Sequence, residues 1–295
     1  MNMKKYKSLV KNVVPPFFFG VFKKVIDCYR YISFDQYLKH SFKTNRDFYN
    51  IHTGKRCFIL GCGPSINEQN LLPLKNELCI SVSQFYLHKH FSEIKPAYHI
   101  HAPNHPPFDS VDMENIIFGQ NKIFANHKPI CFYGHRKYEH SLYNCFKNLN
   151  MLHDSQIRFV NYWHHVIINE SNYLKKDLWN ISKMPFQPNT VIFCAIQLAV
   201  YMGVQNIYLL GCDHDYLLDL KRTTGIHFYK EEDGVDDYKN LKLYDTEYFF
   251  NEHYSRWKGY RLMRQYTESK NVKIFNATKG GMLDVFERVK FEKLF

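Results

Sequence analysis

An α/β fold, a mainly parallel sheet with helices on both faces, follows from three features of the sequence. Short apolar runs recur along the chain, several closed by glycine or a small polar residue, which is how buried parallel strands read. Longer segments with helical spacing lie between them, the clearest being Phe193–Met202 ahead of Gly203. Residues able to do chemistry follow the ends of the runs, and ligands bind beyond the carboxyl ends of strands in such sheets.

Taken in order, strands are expected at Arg56–Leu60, Leu78–Val82 and Ala97–His101, with helices between them. Weaker runs predict strands at Lys122–Phe124, Ile130–Tyr133 and Ile157–Val160. The helix ending at Gly203 leads into Ile207–Leu210, and a last helix around Arg256–Ser269 into Val272–Phe275. The carboxyl edge of the sheet then gathers residues 61–65, 83–84, 102–104, 211–216 and 276–281. No internal repeat or low-complexity linker divides the chain.

Residues 1–50 form a separate, membrane-associating arm in this reading, and residues 51–295 a catalytic domain. Lys4, Lys5, Lys7 and Lys11 precede the apolar run Val13–Phe22, and Lys23 and Lys24 follow it. Pro15 and Pro16 interrupt a run already too short to span a bilayer. Basic residues flanking aromatics suit an anionic membrane surface; packing on the main domain or on another copy is the other reading. A mean hydropathy of −0.42 excludes a multi-span membrane protein. A net charge of +11 points to an anionic partner. The basic residues are dispersed and accompany no nucleic-acid-binding signature, so nucleic acid is not expected. The eight cysteines form no C-x-x-C pair and several sit inside apolar runs, the usage of a reduced compartment. The expected location is the cytoplasm, peripheral on the inner face of the membrane.

Gly61-Cys62-Gly63-Pro64-Ser65 directly follows the Cys57–Leu60 run. Glycine lets a backbone approach a phosphate closely. Ser65 and Glu68 have the spacing of a capping box, which predicts a helix whose free N–H groups and positive end face an anion. A nucleotide-phosphate cradle and a plain tight turn both fit this stretch alone. Ile66 stands where a dinucleotide fingerprint needs its third glycine, and the next strand ends in Ser83-Gln84 rather than an acid. No lysine precedes Ser65 as a P-loop requires. A nucleotide site of another kind remains.

The succession of the glycine turn, Ser83-Gln84-Phe85-Tyr86, Thr190 before a helix, and Ile207-Tyr-Leu-Leu-Gly-Cys-Asp213 resembles bacterial sialyltransferases of glycosyltransferase family 42. It is also similar to the related 6-hydroxymethylpterin diphosphokinase domain. The resemblance spans about residues 54 to 285 and is patchy between 105 and 180. It implies a Rossmann-like sheet in a GT-A-like variant, and a cytidine monophosphate (CMP) sugar donor. Gly61, Cys62, Gly63, Pro64, Ser65, Ser83, Gln84, Thr190 and Asp213 would then bind the nucleotide. The family has asparagine at the positions of Cys62 and Ser83, and Asn104 is the nearby amide in this chain. Val191-Ile192 replace the family's serine-glycine. His253 lies within about one residue of the family's general-base histidine, by spacing from Val272–Phe275. His227, Tyr229, Tyr244 and Tyr248 fall in the region of its phosphate-contacting tyrosines.

The chemistry asks for the same residue types independently. Moving a sugar to a hydroxyl needs a base for the acceptor proton and donors for a departing phosphate, and histidine and tyrosine suit those tasks. The expected activity is a glycosyltransferase of surface-polysaccharide or lipooligosaccharide synthesis, acting on a glycan or lipid-linked acceptor and needing no metal. Asp213 and Asp215 support an alternative in which a diphosphokinase-like enzyme holds Mg²⁺ or Mn²⁺ between two carboxylates. A third reading is a non-catalytic, nucleotide-binding, membrane-docked protein. His101, His105, His135, His140, His164 and His165 make no zinc-ligand set.

Overall fold

The computed structural model describes residues 32–163, 166–219, 227–229 and 245–295. They hold one eight-stranded sheet in which every neighbouring pair is parallel. Its strands are β1 (Arg56–Leu60), β2 (Cys79–Val82), β3 (Tyr98–His101), β4 (Ile130–His135), β5 (Ile157–Asn161), β6 (Asn206–Leu210), β7 (Lys273–Asn276) and β8 (Glu287–Arg288). The order is β5-β4-β3-β2-β1-β6-β7-β8. Around it lie α1 (Gln36–Thr44), α2 (Phe91–Ile94), α3 (Ser110–Phe124), α4 (Leu142–Asn148), α5 (Val191–Tyr201) and α6 (Thr246–Glu268). The fold is the expected Rossmann-like α/β arrangement.

The strand order positions the site. The chain lays β1 to β5 outward in one direction, then crosses back to place β6 on the other side of β1. A crevice opens where neighbouring strands send their chains opposite ways, and ligands of open α/β sheets bind there. The central strands are continuous apolar runs because both faces are covered; Cys57, Phe58, Ile59 and Leu60 have no exposure at all. α5 is apolar nearly all round and lies across β1, β2 and β3, as a fully buried helix must be.

Buried polar groups in the sheet pair with one another. The Tyr133 hydroxyl donates to Gln120 Oε1 at 2.6 Å, and Gln120 Nε2 donates to His99 Nε2 at 3.1 Å. His99 Nδ1 meets Ser81 Oγ at 2.8 Å, and that hydroxyl donates to the Tyr98 carbonyl at 3.3 Å. This chain ties α3 to β4, β3 and β2. Burial holds the His99 imidazole well below its usual pKa.

Three local expectations differ from the structure. Lys122–Phe124 is the last turn of α3, not a strand. Asp109 caps the start of α3 by accepting from Val111 N at 2.9 Å and Asp112 N at 3.1 Å, while Asp112 Oδ2 accepts from Asp109 N at 3.1 Å. That capping box carries the helix through Met113, Ile116, Ile117, Gln120 and Phe124, all buried. Ser65 starts no α-helix: Gly63 caps a single 3-10 turn, Pro64–Glu68, and Leu72–Asn76 forms another. Pro64 and Pro73 break up this short connection. The last helix begins at Thr246, because Asp245 accepts from Tyr248 N at 2.8 Å.

Residues 1–31, most of the expected arm, lie outside the described residues. The part that is described packs on the domain. Leu38, Ser41 and Phe42 form the buried face of α1 against β5. Ser41 Oγ accepts from Phe159 N at 2.8 Å, and Asn45 Nδ2 donates to the Phe159 carbonyl at 2.8 Å. All seven described cysteines are buried, and none of them forms a disulfide. Among the described residues no helix is long and apolar enough to cross a membrane.

Candidate functional site

A cleft of about 280 Å³ opens at the carboxyl ends of β1, β2, β3 and β6. Its polar wall comprises Cys62, Gly63, Ser83, Gln84, Asp213, His214, Tyr216, His227 and Tyr229. Its apolar wall comprises Ala102, Pro103, Phe108, Met113, Ile116, Leu142, Val191 and Ile192. His101, Asn104, His105 and Thr190 lie in the same lining. Two non-glycine residues in it adopt positive φ, Ser83 at 47° and His214 at 50°. The other four such residues, three asparagines and a lysine, all lie away from the cleft lining. Strain of this kind collects at functional sites, where the surroundings over-determine the backbone.

The glycine turn is present, but its amides are occupied. Gly61 N donates to the Leu210 carbonyl at 2.8 Å and Gly63 N to the Gly211 carbonyl at 2.9 Å. The Ser65 amide and hydroxyl face the Asp213 carboxylate. A Cβ on Gly63 would meet Asp213 Oδ2 at 1.6 Å. Gly63 is therefore bare so that a carboxylate can lie against the backbone. Gly61 is bare because a Cβ would come within 2.4 Å of the Gly211 carbonyl oxygen. The expected row of free N–H groups with a helix behind it is absent from this turn; Gly61, Pro64 and Ser65 support the cleft from outside its lining.

The helix end that opens on the cleft belongs to α5. Thr190 is its cap residue, its side chain makes no capping hydrogen bond, and Val191 and Ile192 of the first turn line the cleft. The positive end of that helix dipole faces the cavity.

Asp213 is held by the elements around it. Met282 N donates to its carbonyl at 2.7 Å, and the preceding Cys212 N donates to Thr278 Oγ1 at 3.0 Å. Residues 276–282 thus brace the β6 turn instead of lining the cleft. Burial, with the charge of Asp215 adding to it, pushes the Asp213 carboxyl up to about 6 against the pull of Ser65. His214 is enclosed, with Nε2 at 2.8 Å from the Tyr260 hydroxyl; burial first, then the Arg256 and His253 charges, holds it well below its usual pKa. His101 is pushed down to about 4 by burial. Both imidazoles are neutral at physiological pH.

Of the remaining expected residues, His227 and Tyr229 stack on each other at 4.8 Å and face the cleft. Phe228 between them anchors the segment, donating its N–H to the Cys62 carbonyl at 2.9 Å and accepting from Asn67 Nδ2 at 3.2 Å. The Cys62 thiol donates to the Val82 carbonyl at 3.4 Å. Asn104 lines the cleft with both ends of its amide engaged: Nδ2 donates to the His140 carbonyl at 2.6 Å and Oδ1 accepts from Leu142 N at 3.2 Å. Tyr248 is exposed on the first turn of α6, outside the lining. Tyr244, His164 and His165 lie outside the described residues.

His253 sits two turns into α6, buried, with its ring centroid 5.7 Å from that of Tyr216. It is one side chain behind the cleft wall. Its Nδ1 lies 2.8 Å from the Phe249 carbonyl, a bond that places the ring proton on Nδ1 and leaves Nε2 as the basic nitrogen. Among the described residues no three His, Cys, Asp or Glu side chains gather to hold a metal. Sequence reasoning placed His214 and Tyr216 at the carboxyl edge without giving them a role, and it missed His101 and the apolar wall from α3 and α4. Of these, only His214 carried any local signal, through the Asp213-His214-Asp215 triplet.

No protein-family model and no curated protein matches the sequence. Among solved structures, the chain is similar to the Campylobacter jejuni sialyltransferase CstII in complex with the substrate analogue CMP-3FNeuAc. The identity is 14%, the match covers 80% of this chain and 85% of that one, and the TM-score is 0.39. The functional reading rests instead on the cleft's own residues.

Proposed function

We propose that the protein is a glycosyltransferase that moves a CMP-linked acidic sugar, such as sialic acid, to a glycan or lipid-linked hydroxyl in bacterial surface-polysaccharide or lipooligosaccharide synthesis. The charge of the cleft carries this reading. Among the described lining residues there is no Lys or Arg, and the polar side-chain atoms come from Tyr, His, Ser, Thr, Asn, Gln, Cys and Asp. A diphosphate donor brings extra negative charge, which enzymes meet with cations or a metal. A monophosphate diester brings about one charge at the phosphate itself, with a second on the acidic sugar's carboxylate, and hydroxyls, neutral imidazoles and the end of α5 can solvate charge that is spread in this way. The motif resemblance in the Gly61–Ser65, Ser83–Gln84 and Asp213 segments supports the same donor class.

In this reading the acceptor oxygen bonds to the anomeric carbon while the bond from that carbon to the phosphate oxygen breaks, the electron pair leaving with CMP. His253 Nε2 takes the acceptor proton. Tyr216, His227 and Tyr229 donate to the departing phosphate, where negative charge develops. His214, held neutral and bonded to Tyr260, positions the Tyr216 wall and is too weak a base for the proton transfer. No metal enters the step. The basic, aromatic segment before residue 32 docks the enzyme on an anionic membrane surface, and deletion of residues 1–27 is expected to release it from phosphatidylserine vesicles.

The test is a transfer assay with CMP-N-acetylneuraminate and a labelled lactoside, in EDTA and in Mg²⁺. Equal activity in both is expected; loss in EDTA restored by Mg²⁺ favours the diphosphokinase-like or another metal-dependent chemistry. His253→Ala is expected to lower turnover by roughly 100-fold or more with CMP affinity unchanged. The ascending limb of the pH profile near the histidine range should vanish with it. Full activity in His253→Ala transfers the base role to His227.

A further inference from the structure

Arg256 is a cation that approaches the cleft wall, and two of its guanidinium nitrogens have no hydrogen-bond partner among the described residues. Its Nε and Nη1 are enclosed and without a hydrogen-bond partner among the described residues. Its guanidinium lies 5.7 Å from the Tyr216 ring centroid, and its charge is felt by His214, both cleft residues. A guanidinium keeps its proton at any physiological pH and offers five donors in a rigid fork. Enclosing it unpaired is costly, so enclosed charges almost always have partners. The fork shape fits an oxyanion best.

The spacing on α6 gives this a frame. His253, Arg256, Trp257 and Tyr260 fall at i, i+3, i+4 and i+7, on one face of the helix. That face meets the β6 turn: Tyr260 bonds His214, the rings of His253 and Tyr216 are adjacent, and Trp257 lies 6.0 Å from His214. A cation and a histidine thus stand together behind Tyr216, at the boundary of a polar wall whose described residues include no Lys or Arg.

We propose that Arg256 is the phosphate-binding residue of the cleft, its guanidinium receiving the nucleotide's phosphate beside Tyr216. The proposal rests on the nucleotide-sugar reading above and deepens it. It also accounts for a basic protein whose cleft lining has no Lys or Arg among the described residues: the charge is supplied from α6, one layer back.

The test compares the full-length wild type with Arg256→Gln and Arg256→Lys by calorimetric titration and thermal melts, using inorganic phosphate, CMP and cytidine as probes. The wild type is expected to respond to phosphate and to bind CMP more tightly than cytidine. Arg256→Gln should bind CMP roughly tenfold or more weakly, the scale of a charge-assisted bidentate contact, with cytidine affinity unchanged. Arg256→Lys should fall between, having charge without the fork. Ligand-free Arg256→Gln should melt no lower than wild type, since it removes an unpaired enclosed charge. CMP bound equally by wild type and Arg256→Gln overturns the proposal and leaves the donor reading standing. Phosphate stabilisation lost in Arg256→Gln, with no response of the wild type to CMP, supports Arg256 and overturns the cytidine donor. No response of the wild type to either probe overturns both. A lower ligand-free melting temperature with CMP binding intact makes Arg256 a structural residue and overturns the proposal.

Discussion

The turn after β1 and the first turn of α5 face each other across the cleft, and they trade the roles their sequences suggest. The turn after β1 has the glycines of a phosphate cradle, yet its amides go to the Leu210 and Gly211 carbonyls and its bare Gly63 seats the Asp213 carboxylate. The start of α5 reads only as Thr190-Val191-Ile192, yet its helix end opens on the cavity. Glycine marks a close approach; it does not say what approaches. Here the neighbour is the chain itself.

The sharpest way to break this contrast is at Gly63. Gly63→Ala places a methyl on Asp213 and is expected to cost about 1–3 kcal/mol, the scale of overpacking a well-packed site. Adding Asp213→Ala should return at least half of that loss in urea melts, because the two sites are in contact and their effects do not add. A Gly63→Ala protein as stable as wild type that has lost CMP binding would restore the cradle.

At the opposite wall, Thr190→Asp keeps a good N-cap residue and sets a negative charge at the mouth of the cleft. CMP affinity should fall by about tenfold, in line with charge effects at a helix terminus, with the melting temperature unchanged. Unaltered CMP affinity would deny α5 any part in receiving the anion.

Asp213→Asn gives the smallest effect and a signed one. The Asp213 carboxyl titrates at about 6, above its ordinary 3.8, because burial disfavours its charge. Its neutral form suits the fold, so its contribution is whole below pH 4 and is lost as pH rises through about 6. Relative to wild type, Asp213→Asn should gain stability on the order of 2 kcal/mol or less between pH 4 and 7.5. A difference that does not vary with pH would show that ionisation of Asp213 carries no cost.

The strands were legible because both faces of the sheet are covered: β1 and the carboxyl ends of β2, β3 and β6 fall where the apolar runs put them. The errors lie where a local signal competed with a longer-range one. Ser65 and Glu68 have capping spacing, but Asp213 faces the Ser65 hydroxyl and Lys279 pairs with Glu68 at 3.0 Å. Lys122–Phe124 looked like a strand because the Asp109–Asp112 box that starts its helix lies a dozen or so residues upstream. In the site, the positions at strand ends were readable from order alone. His101 and the part of the apolar wall from α3 and α4 were not, since what brings them to the cleft is the packing of distant elements.

The hydrogen bonds from Ser41 and Asn45 to Phe159 reach beyond the packing of one helix. β5 is the outer strand of the sheet, and those two side chains take up a backbone N–H and C=O that would otherwise invite a foreign strand. At the far border, β8 is only two residues long and charged, a poor template for the same reason. A version of the protein begun at residue 51 would lose the cap over β5 and keep the rest of the sheet. It should self-associate through that border, so residues 32–50 are also what keeps neighbouring molecules from joining their sheets.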